Sequence, residues 1–119
     1  MIIIISAPSG CGKSSITKRL TEIDSNFVLS ISATTRSKRS SEEEGVDYFF
    51  IKTPEEFKKI NLLESAEIYG NLYGTPKQYI DNQLKDQKNI LFDIDWQGAR
   101  QIIESSEKSK VISFFSITT

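Results

Sequence analysis

The sequence begins with "MIIIISAPSGCGKSS", residues 1 to 15, in which an apolar run is followed at once by small and polar residues. A short, nearly continuous isoleucine run is typical of a strand that is covered on both faces in a parallel sheet. Beyond it, Ile16, Leu20 and Ile23 recur at the spacing of one helix face. The stretch therefore predicts a buried strand, a glycine-containing loop and an amphipathic helix in succession.

The loop between this strand and helix has the composition of a phosphate-binding site. A glycine-rich turn that opens a helix directs several unpaired N–H groups and the positive end of the helix dipole at one point. The segment "APSGCGKS" fits the pattern G-x-x-x-x-G-K-[ST], except that Ala7 stands at the first glycine. Lys13 can reach the β and γ phosphates and Ser14 can ligate Mg²⁺, whereas the alternative is a turn whose glycines only reverse the chain. The predicted ATP-binding residues are Ala7, Pro8, Ser9, Gly10, Cys11, Gly12, Lys13 and Ser14.

Outward from this loop, strand and helix patterns alternate at both ends of the chain. The stretches 26–32, 89–95 and 110–117 are typical of strands, and 97–105 is typical of a helix. Such alternation predicts an α/β fold: a P-loop parallel sheet flanked by helices. The middle breaks the alternation, so we expect residues 1–32 and 76–119 to form the nucleotide-binding core and residues 33–75 to form an inserted small α+β subdomain.

Two further helix starts are expected inside the chain. At Thr53 and Pro54, and again at Thr75 and Pro76, a threonine precedes a proline, which is the order of an N-cap and a first helical residue. We expect the first of these helices to reach about residue 60 and the second about residue 86.

Composition excludes several classes of function. The 119 residues carry a net charge of -1, which gives no broad basic surface for nucleic acid or for an anionic membrane. The absence of histidine rules out Ser/His/Asp and Cys/His catalysis as well as histidine-ligated zinc. A single cysteine, Cys11, and the lack of a long apolar segment are typical of a cytoplasmic protein.

Two acidic residues end the apolar strand of "LFDID", residues 91 to 95. Asp93 and Asp95 are expected on the same side of the carboxyl edge of the sheet, where open α/β sheets bind ligands. A carboxylate at this place in P-loop proteins holds Mg²⁺, usually through water. The alternative is that they cap the helix that begins near residue 97.

Taken together, five segments resemble guanylate kinase, the enzyme family that phosphorylates GMP with ATP. The segments are "SAPSGCGKSS" (6–15), "SISATTRSKR" (30–39), "EGVDYFF" (44–50), "LESAEIYGNLYGTP" (63–76) and "LFDIDWQGA" (91–99). They run in the family's order, and their combination is far more specific than the glycine-rich loop alone. The resemblance implies ATP and GMP as substrates and Mg²⁺ as the cofactor.

The resemblance also implies roles for individual residues. Arg36 and Arg39 match the arginines that hold the GMP phosphate, and with Lys13 they are the expected catalytic residues. Asp93 is the better metal candidate, together with Ser14. The residues expected to bind GMP are Ser32, Arg36, Arg39, Tyr48, Glu64, Tyr73, Gly74, Thr75 and Asp95.

Structural explanations exist for the same residues. The basic residues of 36–39 facing the acids of 42–44 are also what a solvated, self-neutralising loop looks like. Tyr48 and Tyr73 fit a subdomain core equally well, and Glu64 fits an ordinary surface acid. The joint occurrence of these residues in the family's order favours the acceptor site.

The sequence departs from the family in two places. Lys38 and Ser41 replace the proline and glycine that are usual in the arginine loop. After "VISFFSI" (111–117) the family continues with prolines, a lid with arginines, a helix and a strand, where this sequence has "TT". We expect either a fragment of a longer chain or a slow enzyme with an apolar sheet edge that favours self-association. The alternative function is a binding module for a phosphorylated or acidic partner.

Overall fold

The structure is a computed structural model, and it describes residues 1–6, 13–94, 96–105 and 111–116. In chain order its elements are β1 (Ile2–Ser6), α1 (Lys13–Ile23), β2 (Phe27–Leu29), β3 (Ala33–Thr34), β4 (Phe49–Phe50), α2 (Pro54–Lys58), β5 (Leu62–Ile68), β6 (Asn71–Pro76), α3 (Lys77–Lys85), β7 (Asn89–Asp93), α4 (Trp96–Ser105) and β8 (Val111–Ser116). Across these ranges, no helix is long and apolar enough to cross a membrane.

The chain divides into two compact units. Met1–Ser30 and Ile80–Thr119 form one, here called the parallel-sheet unit, and Ile31–Tyr79 forms the other, the mixed-sheet unit. The sequence analysis placed the boundaries after residues 32 and 75. In the structure the second boundary falls inside α3, so this helix supplies residues to both units.

The parallel-sheet unit confirms the predicted α/β fold. Its described strands lie in the order β2, β7, β1, β8, and every neighbouring pair is parallel. The isoleucine run forms β1 between two neighbours, and Ile4 is fully buried. In β7, Leu91 and Phe92 are buried as well. Successive buried residues point to opposite faces of the sheet, which shows that both faces of this strand are covered.

The helices of this unit differ in how far their apolar residues are buried. In α4, Ala99 and Ile102 lie three residues apart and are fully buried. Ile23, which the sequence placed on the apolar face of α1, is 66% exposed, so that part of the prediction is wrong. It is the last residue of α1, and the chain turns at Ser25 and Asn26 before β2.

The mixed-sheet unit contains a four-stranded sheet in the order β4, β3, β6, β5. Strands β3 and β4 are parallel, whereas β6 is antiparallel to both β3 and β5. The β5–β6 hairpin turns at Tyr69 and Gly70, whose φ angles are 50° and 80°. Two consecutive positive φ angles are the signature of a tight two-residue hairpin turn, whose twist matches that of the strands.

Only one of the two helix starts expected from threonine and proline is correct. The Thr53 side chain accepts a hydrogen bond from the backbone N–H of Glu56 at 3.1 Å, and α2 begins at Pro54 as predicted. Thr75 and Pro76 instead belong to β6, and α3 begins at Lys77. Cross-strand pairing with β5 extends the hairpin through both residues and overrides the local helix signal.

Candidate functional site

One face of the mixed sheet carries most of the predicted acceptor residues. Thr34 pairs with Tyr73 on one side and with Phe50 on the other, so the three side chains point the same way. Because side chains alternate along a strand, Thr75 shares the face of Tyr73. We call this face of the mixed sheet, from Phe50 through Thr34 to Thr75, the polar face.

Glu64 joins the polar face through Thr75. The Thr75 hydroxyl donates a hydrogen bond of 2.6 Å to Glu64 Oε1. Thr75 is almost fully buried, so its hydroxyl is held close to a fixed direction, and Glu64 is half-buried. An ionised carboxylate offers about four lone-pair sites, and the bond from Thr75 occupies one of them.

The opposite face of the mixed sheet is apolar and largely covered around Ala33, Phe49 and Gly74. Phe49 projects to this side, and its ring meets that of Tyr79 edge-on with the centroids 5.4 Å apart. Gly74 also lies on this side, where a Cβ atom would come within 2.8 Å of Leu62 Cδ1 and 2.9 Å of the Glu64 carbonyl oxygen. Gly74 therefore permits the close approach that sets the backbone position of Glu64.

Arg36 follows β3 and is held by Glu42. Its Nη1 and Nη2 atoms donate to the two carboxylate oxygens of Glu42 at 3.1 and 2.8 Å. The two side chains are only 16% and 15% exposed. Hydrogen bonding to Glu42 is the main reason why the pKa of Arg36 is raised above its usual range. The same bond, followed by the N–H of Arg39, lowers the pKa of Glu42 to about 2.

Two tyrosines complete the surroundings of Arg36. Its guanidinium carbon lies 5.3 Å from the ring centroid of Tyr48, which is the geometry of a cation–π contact. The rings of Tyr48 and Tyr73 meet edge-on at 6.1 Å, and Tyr48 also contacts Phe50. Hydrogen bonds with the side chains of Tyr73 and Tyr48 add to the raised pKa of Arg36. A cation and two hydroxyl groups therefore meet at the polar face.

The remaining predicted acceptor residues are less constrained. Ser32 immediately precedes β3, and its carbonyl accepts from the Phe49 N–H at 2.9 Å. The Arg39 side chain is exposed. Within the described ranges the structure gives the Arg39 guanidinium no hydrogen bond or ion pair, although its backbone N–H donates to Glu42 at 2.9 Å. Glu42 thus fixes the side chain of Arg36, whereas it contacts Arg39 by a hydrogen bond only through the backbone.

Most of the predicted nucleotide loop lies outside the described residues, as does Asp95. Lys13 and Ser14 are described only as the first residues of α1. Asp93 is the last residue of β7 and is half-buried at the carboxyl end of the parallel sheet. A carboxylate is a donor that Mg²⁺ prefers, so Asp93 fits the predicted role. In the ranges that the structure covers, no group of three acidic or cysteine side chains is arranged to hold a metal ion by itself.

Sequence reasoning missed Glu42 as a site residue. It treated this acid, with its two neighbours, as counter-charge for the basic loop. In the structure both Nη atoms of Arg36 donate hydrogen bonds to Glu42. The Glu44 side chain instead accepts a hydrogen bond from the Phe50 N–H at 2.8 Å. Three adjacent glutamates carry no signal in the sequence that would single out the one that is held by an arginine.

The parallel sheet flanked by helices, together with a phosphate-loop sequence after β1, defines the class as an α/β protein of the P-loop type. The chain belongs to the guanylate kinase family, because the family model described as guanylate kinase matches residues 1–119.

Individual relatives agree with this family. The chain is 54% identical over 110 residues to a guanylate kinase of Rickettsia bellii, covering 89% of this chain and 57% of that protein. It is 50% identical over 119 residues to a guanylate kinase of Rickettsia conorii, covering 97% of this chain and 51% of that protein. The structure is similar to the crystal structure of guanylate kinase from Anaplasma phagocytophilum, with a TM-score of 0.71 and 35% identity over 98% of this chain and 59% of the other. The chain thus spans between about half and three-fifths of the length of these relatives.

Proposed function

We propose that this chain carries the nucleotide sites of an ATP:GMP phosphotransferase, which converts ATP and GMP to ADP and GDP. The observation that carries the proposal is the composition of the polar face. Arg36, fixed by Glu42 and flanked by two tyrosines, suits the binding of a phosphate. Glu64, fixed by the buried Thr75, suits the edge of a nucleobase that carries hydrogen-bond donors. Membership of the guanylate kinase family supports both assignments.

The phosphate of GMP is assigned to Arg36, Arg39, Tyr48 and Tyr73. The planar guanidinium matches the geometry of a phosphate, and two tyrosine hydroxyls add neutral donors. Arg39 supplies a positive charge that the described residues do not pair with an acid. The site therefore holds a phosphate by both geometry and charge.

The guanine base is assigned to Glu64, with Thr75 and Ser32 beside it. Guanine presents an N1–H and an exocyclic amine on one edge, and a carboxylate can accept from both. Adenine has no N1–H, so it would leave one carboxylate oxygen without a donor. A site built around a buried polar group rejects a ligand that leaves this group unsatisfied. We expect a preference for GMP over AMP to depend on Glu64.

The donor site is assigned to the loop of residues 7–14. Lys13 and the loop amides would bind the phosphates of ATP, with Ser14 and Asp93 holding Mg²⁺. The bound Mg²⁺ would supply charge neutralisation for the transferred phosphoryl group. The remaining contribution of the protein is to orient the two substrates, which is the main task in phosphoryl transfer.

A coupled assay of ADP formation tests the proposal. It contains ATP, Mg²⁺ and either GMP, AMP or dTMP, and it is run on this chain and on a chain extended by the family's C-terminal segment. We expect GMP to be the preferred acceptor in both. A preference for AMP would contradict the guanine assignment, and inactivity of both chains would contradict phosphoryl transfer.

A thermal-shift measurement separates a kinase from a binding module. A kinase site should be stabilised by MgATP, and a ligand at about a hundred times its Kd adds roughly 2.7 kcal/mol to the free energy of unfolding. A binding module that recognises only an anionic partner should not respond to MgATP. Variant Lys13→Met provides the control, because it removes the expected contact with the ATP phosphates.

A further inference from the structure

Glu42 connects the two arginines of the phosphate site. Its Oε1 atom accepts from Arg36 Nη1 at 3.1 Å and from the backbone N–H of Arg39 at 2.9 Å, while Oε2 accepts from Arg36 Nη2 at 2.8 Å. One carboxylate thus fixes the side chain of the first arginine and the backbone of the second. Arg36 and Glu42 are six positions apart in a loop, so this contact also closes the loop.

The contact with Glu42 uses one particular edge of the Arg36 guanidinium. A guanidinium has five N–H groups arranged as a rigid fork. One Nη1–H donates to the Ser37 carbonyl at 3.0 Å, and the other Nη1–H and one Nη2–H go to Glu42. Neither Glu42 nor the Ser37 carbonyl uses the Nε–H and the second Nη2–H, and these two are parallel. They form a second two-pronged edge that matches a phosphate as well as the first edge matches the carboxylate.

We propose that Glu42 is a positioning residue for the mononucleotide phosphate: it occupies the end of the Arg36 guanidinium, so that the Nε and Nη2 edge is presented to the ligand. The inference rests on the proposed function, because it takes the phosphate of GMP as that ligand. Glu42 itself does not touch the substrate.

The physical benefit is a reduced entropic cost of binding. A free arginine side chain loses substantial rotamer freedom when it is fixed by a ligand. In the structure, Glu42, the Ser37 carbonyl and the Tyr48 ring already restrict the Arg36 side chain through contacts within the chain itself. Binding to a preorganised group is tighter for this reason.

Positioning by Glu42 and simple charge neutralisation predict opposite changes in GMP affinity. If Glu42 only offsets the charge of Arg36, its replacement by glutamine removes a negative charge close to the phosphate and should strengthen GMP binding. If Glu42 positions Arg36, the same replacement should weaken GMP binding, because glutamine cannot accept through both of its terminal atoms. The direction of the change therefore distinguishes the two explanations.

The experiment compares Glu42→Gln with Glu43→Gln by titration with GMP and with guanosine, which lacks the phosphate. Glu43 is adjacent and exposed, so its variant removes the same charge without removing the contact to Arg36. We expect Glu42→Gln to weaken GMP binding about 10- to 100-fold, because the loss of well-placed hydrogen bonds between charged groups has effects of this size. Guanosine binding should change less than about twofold, because the inference leaves the base contacts intact.

A third variant separates positioning from folding. Glu42→Asp keeps the charge but is one methylene shorter, so it cannot reach both Arg36 nitrogens and the Arg39 N–H together. We expect its GMP affinity to lie between those of the wild type and Glu42→Gln. The unfolding temperature of each variant, compared with the wild type, shows whether the fold is retained.

Three results would overturn the inference. They are an unchanged or tighter GMP affinity in Glu42→Gln, an equal loss of GMP and guanosine binding, and an equal weakening of GMP in Glu43→Gln. A different result would contradict the proposed function, namely that the wild type binds guanosine as tightly as GMP. Glu42 would then have no phosphate to position.

Discussion

The two sheets of this molecule use their surfaces in different ways. In the parallel-sheet unit, Ile4 and Phe92 belong to strands that are covered on both faces, so no face of β1 or β7 is available to a ligand. In the mixed-sheet unit one face packs around Phe49 and Tyr79, while the other carries Arg36 and Glu64. A sheet with two apolar, covered faces has only its strand ends for chemistry, whereas a sheet with one polar face can carry the site on that face.

The largest expected effect concerns the core of the parallel-sheet unit. Ile4 is fully buried, so Ile4→Ala should lower the free energy of unfolding by about 2 to 5 kcal/mol through lost burial and a cavity. Ile23 is the matched control, because it is the same residue type but 66% exposed, and Ile23→Ala should change stability by less than about 0.5 kcal/mol. Urea denaturation measures both. Equal losses of stability in the two variants would contradict the distinction between buried and exposed positions.

The next effect concerns the covered face of the mixed sheet. The methyl group of Gly74→Ala would come within 2.9 Å of the Glu64 carbonyl oxygen, which is backbone and cannot simply rotate away. We expect a loss of about 1 to 3 kcal/mol in stability and a weaker preference for GMP over AMP, because the Glu64 strand must shift. Leu62→Ala in the same chain relieves the contact at 2.8 Å with Leu62 Cδ1 and should restore part of the stability. Unchanged stability and nucleotide preference would show that the close approach is unimportant.

A smaller effect, of opposite sign, is expected at the hairpin tip. Tyr69 is fully exposed and has a φ angle of 50°, a conformation that asparagine adopts more easily than tyrosine. Tyr69→Asn should therefore raise the free energy of unfolding by up to about 1 kcal/mol. Tyr69→Phe should leave stability unchanged, since it keeps the backbone preference and removes only an exposed hydroxyl. A loss of stability in Tyr69→Asn would show that the ring has a stabilising contact.

The smallest effect is the pH dependence of the Arg36–Glu42 pair. The pKa of Glu42 is lowered from 4.5 to about 2 in the folded chain, so the pair stabilises the fold above pH 4.5. This contribution should decrease as the pH falls from 4.5 towards 2, where the carboxylate takes up a proton. We expect the difference in Tm between the wild type and Glu42→Gln to be constant above pH 5 and to decrease below pH 4.5. A difference that is independent of pH down to 2 would contradict the lowered pKa.

The architecture of the parallel-sheet unit was predictable because its signals are local. Five consecutive apolar residues and the helix pattern after them describe β1 and α1 without any knowledge of the rest of the chain. The strand predicted at 26–32 is shorter in the structure, at Phe27–Leu29, because strand ends depend on where the neighbouring strand stops pairing. Local patterns therefore located these elements better than they located the element ends.

The mixed-sheet unit was less predictable because its signals depend on partners. Thr75 and Pro76 have the local appearance of a helix start, but pairing with β5 makes them part of a strand. The β-prone stretch 46–51 forms a strand only at Phe49–Phe50, because hydrogen bonds such as Gly45 N–H to the Tyr48 carbonyl, at 2.8 Å, form a turn before it. Such contacts are set by tertiary structure.

The candidate site was predicted in part. The residue types for phosphate and guanine could be selected from the sequence through their resemblance to a family. Thr75, which was predicted to bind GMP, lies on the polar face, although its predicted secondary structure was wrong. The selection of Glu42 from three adjacent acids could not be made, because it depends on which carboxylate the loop brings within 3 Å of Arg36.

The most direct test of the polar face as a phosphate site is a titration of the arginine side-chain N–H signals by NMR. The chain has four arginines, two in each unit: Arg19 and Arg100 in the parallel-sheet unit, and Arg36 and Arg39 in the mixed-sheet unit. We expect GMP to shift the Nε–H signal of Arg36 strongly and that of Arg39 as well, and we expect guanosine to leave the Arg36 signal in place. An Arg36 signal that does not respond to GMP, or that responds equally to guanosine, would contradict the assignment of this face to a nucleotide phosphate.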